Sequence, residues 1–122
     1  MKSDATMRVL IVEPGKAPRE AVIAHTLEAM QAVVGGPIQA VYPFEEPVAL
    51  ICNDESKSLG LPWNRMLRDS SGEIYDIIAG TFFLCAAPKD SESFEGLTEN
   101  QVQAYTKRLA HPEYFLRTSQ GL

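Results

Sequence analysis

Leu61-Pro62-Trp63-Asn64-Arg65 places an indole, an amide and a guanidinium in consecutive positions. Together these groups can stack on a planar partner, hydrogen-bond it through an amide, and grip an oxyanion with a bidentate fork. The plainer alternative is that Trp63 packs on the core while Asn64 and Arg65 tie down the backbone of their own loop. A second polar group, Asn53-Asp54-Glu55, follows an apolar run. Asp76 lies inside another apolar run, where a carboxylate needs a counter-charge, and Arg65 is the expected partner. It reads either as part of a recognition site, or as a structural ion pair or exposed strand edge. The candidate binding residues are therefore Asn53, Asp54, Trp63, Asn64, Arg65 and Asp76.

Other chemistries lack their residue patterns. Cys52 and Cys85 each sit in an apolar run, and His25 and His111 stand apart from both and from one another, so no nucleophile–base motif is legible. The same scatter lacks the paired spacing of zinc ligands, and the acidic turn at Asn53 lacks the alternating oxygens and glycine of a calcium loop. Neither Glu13-Pro14-Gly15-Lys16 nor Gly35-Gly36 is a phosphate cradle, because the first has one glycine and the second ends a helix instead of opening one. We therefore expect no catalytic residue, no metal and no cofactor.

The whole-chain balance narrows the partners. Sixteen acidic residues against eleven basic ones give a net charge of −5, the wrong sign for a protein that grips nucleic-acid phosphates. No apolar run is long enough to span a bilayer, and the polar start Met1-Lys2-Ser3-Asp4-Ala5-Thr6 lacks the apolar core of a secretory signal. A cytoplasmic protein with both thiols reduced and buried is expected.

These residues must be positioned by a small number of elements. Arg8–Val12 is a continuous apolar strand, Pro14-Gly15 turns it, and Arg19–Ala24 returns as a hairpin. Thr26 caps a helix carrying Leu27, Met30, Val33 and Val34 on one face, stopped by Gly35-Gly36-Pro37. Strands follow at Ile38–Tyr42 and Val48–Cys52, joined by a rigid acidic connection from Pro43 to Pro47. The segment from Leu59 to Leu67 reads as an ordered loop or a single helical turn. Gly72–Ala87 reads as one central strand, with Gly80 marking a bulge or a close backbone approach. Thr98-Glu99-Asn100-Gln101 spells a capping box for a helix ending near Leu109, and the aromatics of residues 111–115 are expected to dock on the sheet. The fold class is α+β: a single domain over residues 7–115, with an antiparallel or mixed sheet of about five strands and two helices on one face, between flexible ends at 1–6 and 116–122.

The motifs Val-Glu-Pro-Gly-Lys at 12–16, Thr-Leu-Glu-Ala-Met-Gln at 26–31, Ala-Val-Tyr-Pro-Phe at 40–44, Cys-Asn-Asp-Glu at 52–55, Gly-Leu-Pro-Trp-Asn-Arg at 60–65 and Asp-Ile-Ile-Ala-Gly-Thr-Phe-Phe at 76–83 carry a resemblance. In this order they resemble a domain-of-unknown-function family, number 3846, encoded in bacterial genomes, phages and conjugative elements. The resemblance spans Met7 to about Phe115 and implies a mobile-element context, no assigned activity, and motif positions for Asn53, Asn64, Arg65 and Gly80. Two functions follow as expectations. One is a non-enzymatic module that binds another protein, with an acidic face that could mimic nucleic acid. The alternative is a small-molecule binder or modest enzyme with a polar cleft around Asn53, Asn64 and Arg65. An exposed sheet edge leaves oligomerisation open.

Overall fold

Val9, Leu10, Ile11 and Val12 are all buried, because the strand they end, β1 (Thr6–Val12), is covered on both faces. The computed structural model describes residues 6–113 and 115; the expectations for residues 1–5 and 116–122 lie outside the described residues. At Pro14-Gly15 the chain turns, with Gly15 at φ +75°, and β2 (Arg19–Ala24) pairs antiparallel so that Leu10 faces Glu20. Helix α1 (Leu27–Val34) starts where Thr26 Oγ1 accepts the Ala29 amide at 3.1 Å and stops at Gly35, whose φ of +84° suits a left-handed cap. Next come β3 (Ile38–Val41) and β4 (Val48–Asn53), the latter buried along its full length.

The region from Trp63 to Ala86 departs from the sequence reading twice. Gly72–Ala87 is not one strand: it divides at Gly80 into β6 (Ile74–Ala79) and β7 (Phe82–Ala86), which join different sheets. Trp63–Arg68, expected as a loop or helical turn, is strand β5, paired with β6 as a two-stranded sheet. Its strand character was hidden because its buried positions include Asn64 and Arg65, and irregular register at Trp63/Arg65 and Leu67/Arg68 disrupts the alternation. Only β7 is central, in an all-antiparallel five-stranded sheet ordered β2-β1-β7-β4-β3.

Gly80 makes the division. It holds φ +78°, and its amide donates to the Pro62 carbonyl at 2.7 Å, so the chain folds back onto the start of β5 before entering the main sheet. A Cβ there would lie 2.7 Å from Leu61 Cδ1. Gly80→Ala should therefore destabilise the domain by about 1–3 kcal/mol, the sum of a left-handed backbone penalty and a contact that a Leu side chain relieves in part. Urea unfolding would register this as a lower midpoint; an unchanged midpoint would show that the turn does not need glycine.

Alternation along β1 feeds two cores, one on each face of the sheet. Val9 and Ile11 pack with Ile51, Phe83 and Cys85 against Met30 and Val34 of α1. Leu10 and Val12 pack with Leu50, Phe82 and Leu84 against Leu67 and Ile78 of the hairpin and Val102 and Tyr105 of the second helix, α2 (Glu99–Arg108). The helices thus lie on opposite faces, not on one. Two amphipathic elements cannot both cover one face once the β5–β6 hairpin occupies part of it. The capping box forms as read: Gln101 N donates to Thr98 Oγ1 at 3.1 Å and Thr98 N to Gln101 Oε1 at 2.9 Å. Leu97, just before the cap, shares a buried cluster with Val102, as in a hydrophobic staple.

Candidate functional site

The six candidate residues fall into three settings. Asn53 ends β4 and is buried; its Nδ2 donates to the Val34 carbonyl at 3.1 Å and its Oδ1 accepts the Glu55 amide at 2.7 Å. It thereby ties the last residue of α1 to the turn after β4. Asp54 beside it is exposed, with its amide bonded to the Pro37 carbonyl at 2.8 Å.

Asn64 and Arg65 are buried in β5 and act on backbone far away in sequence. Asn64 Nδ2 donates to the carbonyls of Val12 and Gly80, both at 2.9 Å, joining the end of β1 to the bend between β6 and β7. Its Oδ1 accepts from Arg65 NH1 at 2.8 Å. Arg65 NH2 donates to the carbonyls of Lys16 at 2.9 Å and Leu109 at 3.0 Å, linking the β1–β2 turn to the end of α2. Arg65 is 1% exposed, and its Nε has no acceptor. Burial lowers the pKa of this guanidinium, while the nearby Glu113 carboxylate works the other way and favours its charge.

Arg65 is not the partner of Asp76. The Asp76 carboxylate meets Lys57 Nζ at 2.6 Å, and this hydrogen bond holds its pKa below the usual range. Arg65 pairs across the hairpin with the core residue Ile78, so its side chain runs inward to carbonyl acceptors. Asp76 is 40% exposed and within reach of Lys57.

Trp63 is the most accessible of the three motif residues, 38% exposed, with its ring edge-on to Phe115 at 5.4 Å between centroids. The expected docking of the C-terminal aromatics is visible in Phe115; Tyr114 lies outside the described residues. One concavity of about 630 Å³ beside Trp63 is lined by Leu61, Tyr75, Asp76 and Lys57. A second of about 630 Å³ on Trp63 includes Pro14, Pro62 and Phe115. Trp63 and Asp76 are thus brought together, whereas Asn53, Asp54, Asn64 and Arg65 line neither concavity.

Several residues of interest escaped the sequence reading. Ile74 and Tyr75 are 51% and 56% exposed. The apolar run predicts a buried central strand for both, and the break at Gly80, which puts them in the separate β5–β6 sheet, brings them to the surface. Arg108 stacks over Phe44, with its guanidinium carbon 4.7 Å from the ring centroid, and Tyr105 Oη donates to Glu46. No local signal joins residues 44–46 to the last turn of α2.

Both cysteines are buried and unpaired. Desolvation raises the pKa of each thiol, that of Cys85 to about 12, so both are protonated at neutral pH and poor nucleophiles. Among the described residues no group of three His, Cys, Asp or Glu side chains could hold a metal, and no helix is long and apolar enough to cross a membrane.

Fold and site together define a small α+β domain whose polar motif residues lock its backbone and whose aromatic hairpin faces outward. The chain belongs to the family described as domain of unknown function (DUF3846), matched over residues 7–110. No curated protein and no solved structure matches it.

Proposed function

We propose that this domain is a cytoplasmic, non-enzymatic protein-interaction module that serves mobile genetic elements. The single observation that carries the reading is the outward apolar and aromatic surface of the β5–β6 hairpin, where Trp63, Ile74 and Tyr75 stand well exposed. Exposed aromatics on an ordered hairpin offer large contact area at small conformational cost, as interface anchors do. The partner is a protein presenting a complementary apolar surface. The Asp76–Lys57 ion pair beside it supplies polar contacts at the rim. The mobile-element context is what the resemblance carried by the sequence motifs implies.

Nucleic-acid mimicry loses its support. Carboxylates are spread over turns and strands, and several are neutralised where they stand: Glu20 by Arg8, Glu13 by Arg19 and Asp76 by Lys57. An array that imitates a phosphate backbone would need them aligned and unpaired.

The test compares wild type with a Trp63→Ala, Tyr75→Ala double variant in quantitative pull-downs from the host lysate, after matched thermal melts confirm folding. A partner retained by wild type should be lost by about 30-fold or more, the effect of removing hot-spot anchors worth 2 kcal/mol or more. Equal retention by both forms would remove this surface as the docking site.

A further inference from the structure

A strand at the edge of a sheet presents unpaired backbone groups, and among the described residues β2 and β3 flank the five-stranded sheet while β5 and β6 each have one free side. All but β2 are blunted. β3 is four residues long and lies between Pro37 and Pro43. On β5 the Met66 amide donates to Glu113 Oε1 at 3.3 Å, and on β6 the Ile77 amide donates to Asp76 Oδ1 at 2.8 Å.

The outward groups of β2 follow from its pairing. Leu97 lies on the β7 side of β1, just after the bridge from Glu95 to Ala86, and its amide donates to the Arg8 carbonyl at 2.8 Å. Arg8 thus turns its backbone groups away from β2. Because Arg8 pairs with Val22, alternation turns the N–H and C=O groups of Glu20, Val22 and Ala24 to the outer edge and those of Ala21 and Ile23 toward β1. Among the described residues these outward groups take no partner from elsewhere in the chain. Val22 is also 64% exposed. The edge is not acidic, although the chain carries −5: the β1–β2 hairpin sets Arg8, Lys16 and Arg19 against Glu13 and Glu20, and Arg8 Nε holds the Glu20 carboxylate at 3.1 Å.

We propose that a second copy of this chain pairs with β2, antiparallel about a two-fold axis at Val22, so that the two main sheets become one. In that register Val22 meets its counterpart and Glu20 meets Ala24 of the second copy, which bonds every outward group of the three residues. Ile23 comes to lie against Ala21 of the second copy, extending the apolar face under α1. Neighbouring registers lose these bonds. An axis at Ala21 sets Pro18, which has no N–H, against Ala24. One at Ile23 sets Glu20 against Thr26, whose carbonyl already accepts the Met30 amide. One at Glu20 sets two carboxylates face to face. The balanced hairpin lets two copies meet without the repulsion that the acidic remainder of the chain would impose.

A seam of one strand pair is small for an interface, so the association is weak and calls for high protein concentration. Sedimentation equilibrium on the full chain, from micromolar to near-millimolar concentration, should show the average mass rising from that of one chain toward that of two. Val22→Lys replaces an apolar contact with two ammonium groups opposite one another and should weaken self-association by about tenfold or more. Its side chain is exposed, so the fold should survive, which matched thermal melts check. Amide exchange on the wild type locates the seam independently of any variant: the Glu20, Val22 and Ala24 amides should slow as concentration rises. A single-chain mass at every concentration, self-association equal in a folded Val22→Lys, or exchange at these three amides that ignores concentration would each overturn the proposal.

Discussion

Arg65→Met is expected to destabilise the domain by about 3 kcal/mol, although Arg and Met fill similar volumes. Two effects oppose one another. Removing a buried guanidinium relieves its desolvation, which is why an apolar replacement of a buried ion pair can be neutral. Here, however, the acceptors are mostly backbone. The carbonyls of Lys16 and Leu109 and the amide oxygen of Asn64 remain when the arginine is gone. A buried acceptor left without a donor costs about 1–3 kcal/mol, less where water can enter as at the part-buried Lys16 and Leu109 carbonyls, and together the three outweigh the relief. The lost bonds join the β1–β2 turn, β5 and the end of α2, so these should loosen together. Urea denaturation gives the size of the effect, and amide exchange should show faster opening around residues 16 and 109. A midpoint equal to wild type would mean that these carbonyls find other donors or water.

Asn64→Ala follows, with an expected loss of about 2–4 kcal/mol. It leaves the Val12 and Gly80 carbonyls without their amide donor, opens a small void in β5, and removes one acceptor of Arg65. Because the two residues share a bond, the double variant should lose less than the two single losses added together, by about 0.5–3 kcal/mol. Additive losses in the cycle would show that Asn64 and Arg65 act independently. A folded but weakened Asn64→Ala protein should still interact through Trp63 and Tyr75, which separates locking residues from presenting ones.

That separation bears on how the polar motif is understood. Trp63-Asn64-Arg65 draws attention in the sequence because amide, guanidinium and indole together suit recognition. Along a strand, neighbouring side chains take opposite faces and an irregular register changes which ones do. Trp63 is left at the surface, while Asn64 and Arg65 fasten β1, the Gly80 bend and the end of α2. The surface that results is a hairpin clamped in place from within.

Local signals determined a good part of the protein by themselves. Thr26 and Gly35 bound α1, Thr98 and Gln101 start α2, Pro14-Gly15 closes the first hairpin, and the apolar runs at 9–12 and 48–52 are strands buried on both faces. Each depends on residues a few positions apart, so each is legible from spacing and residue type. The ordered motifs also carried the family. Only the tertiary structure decided that Gly80 divides an apparently continuous strand between two sheets, that the helices take opposite faces, and that Arg65 turns to Lys16 and Leu109 while Asp76 turns to Lys57. The physical reason is range. Asn64 bonds Val12 across 52 residues and Arg65 bonds Lys16 across 49, and a bond to a distant backbone carbonyl leaves no mark in the pattern of neighbouring side chains.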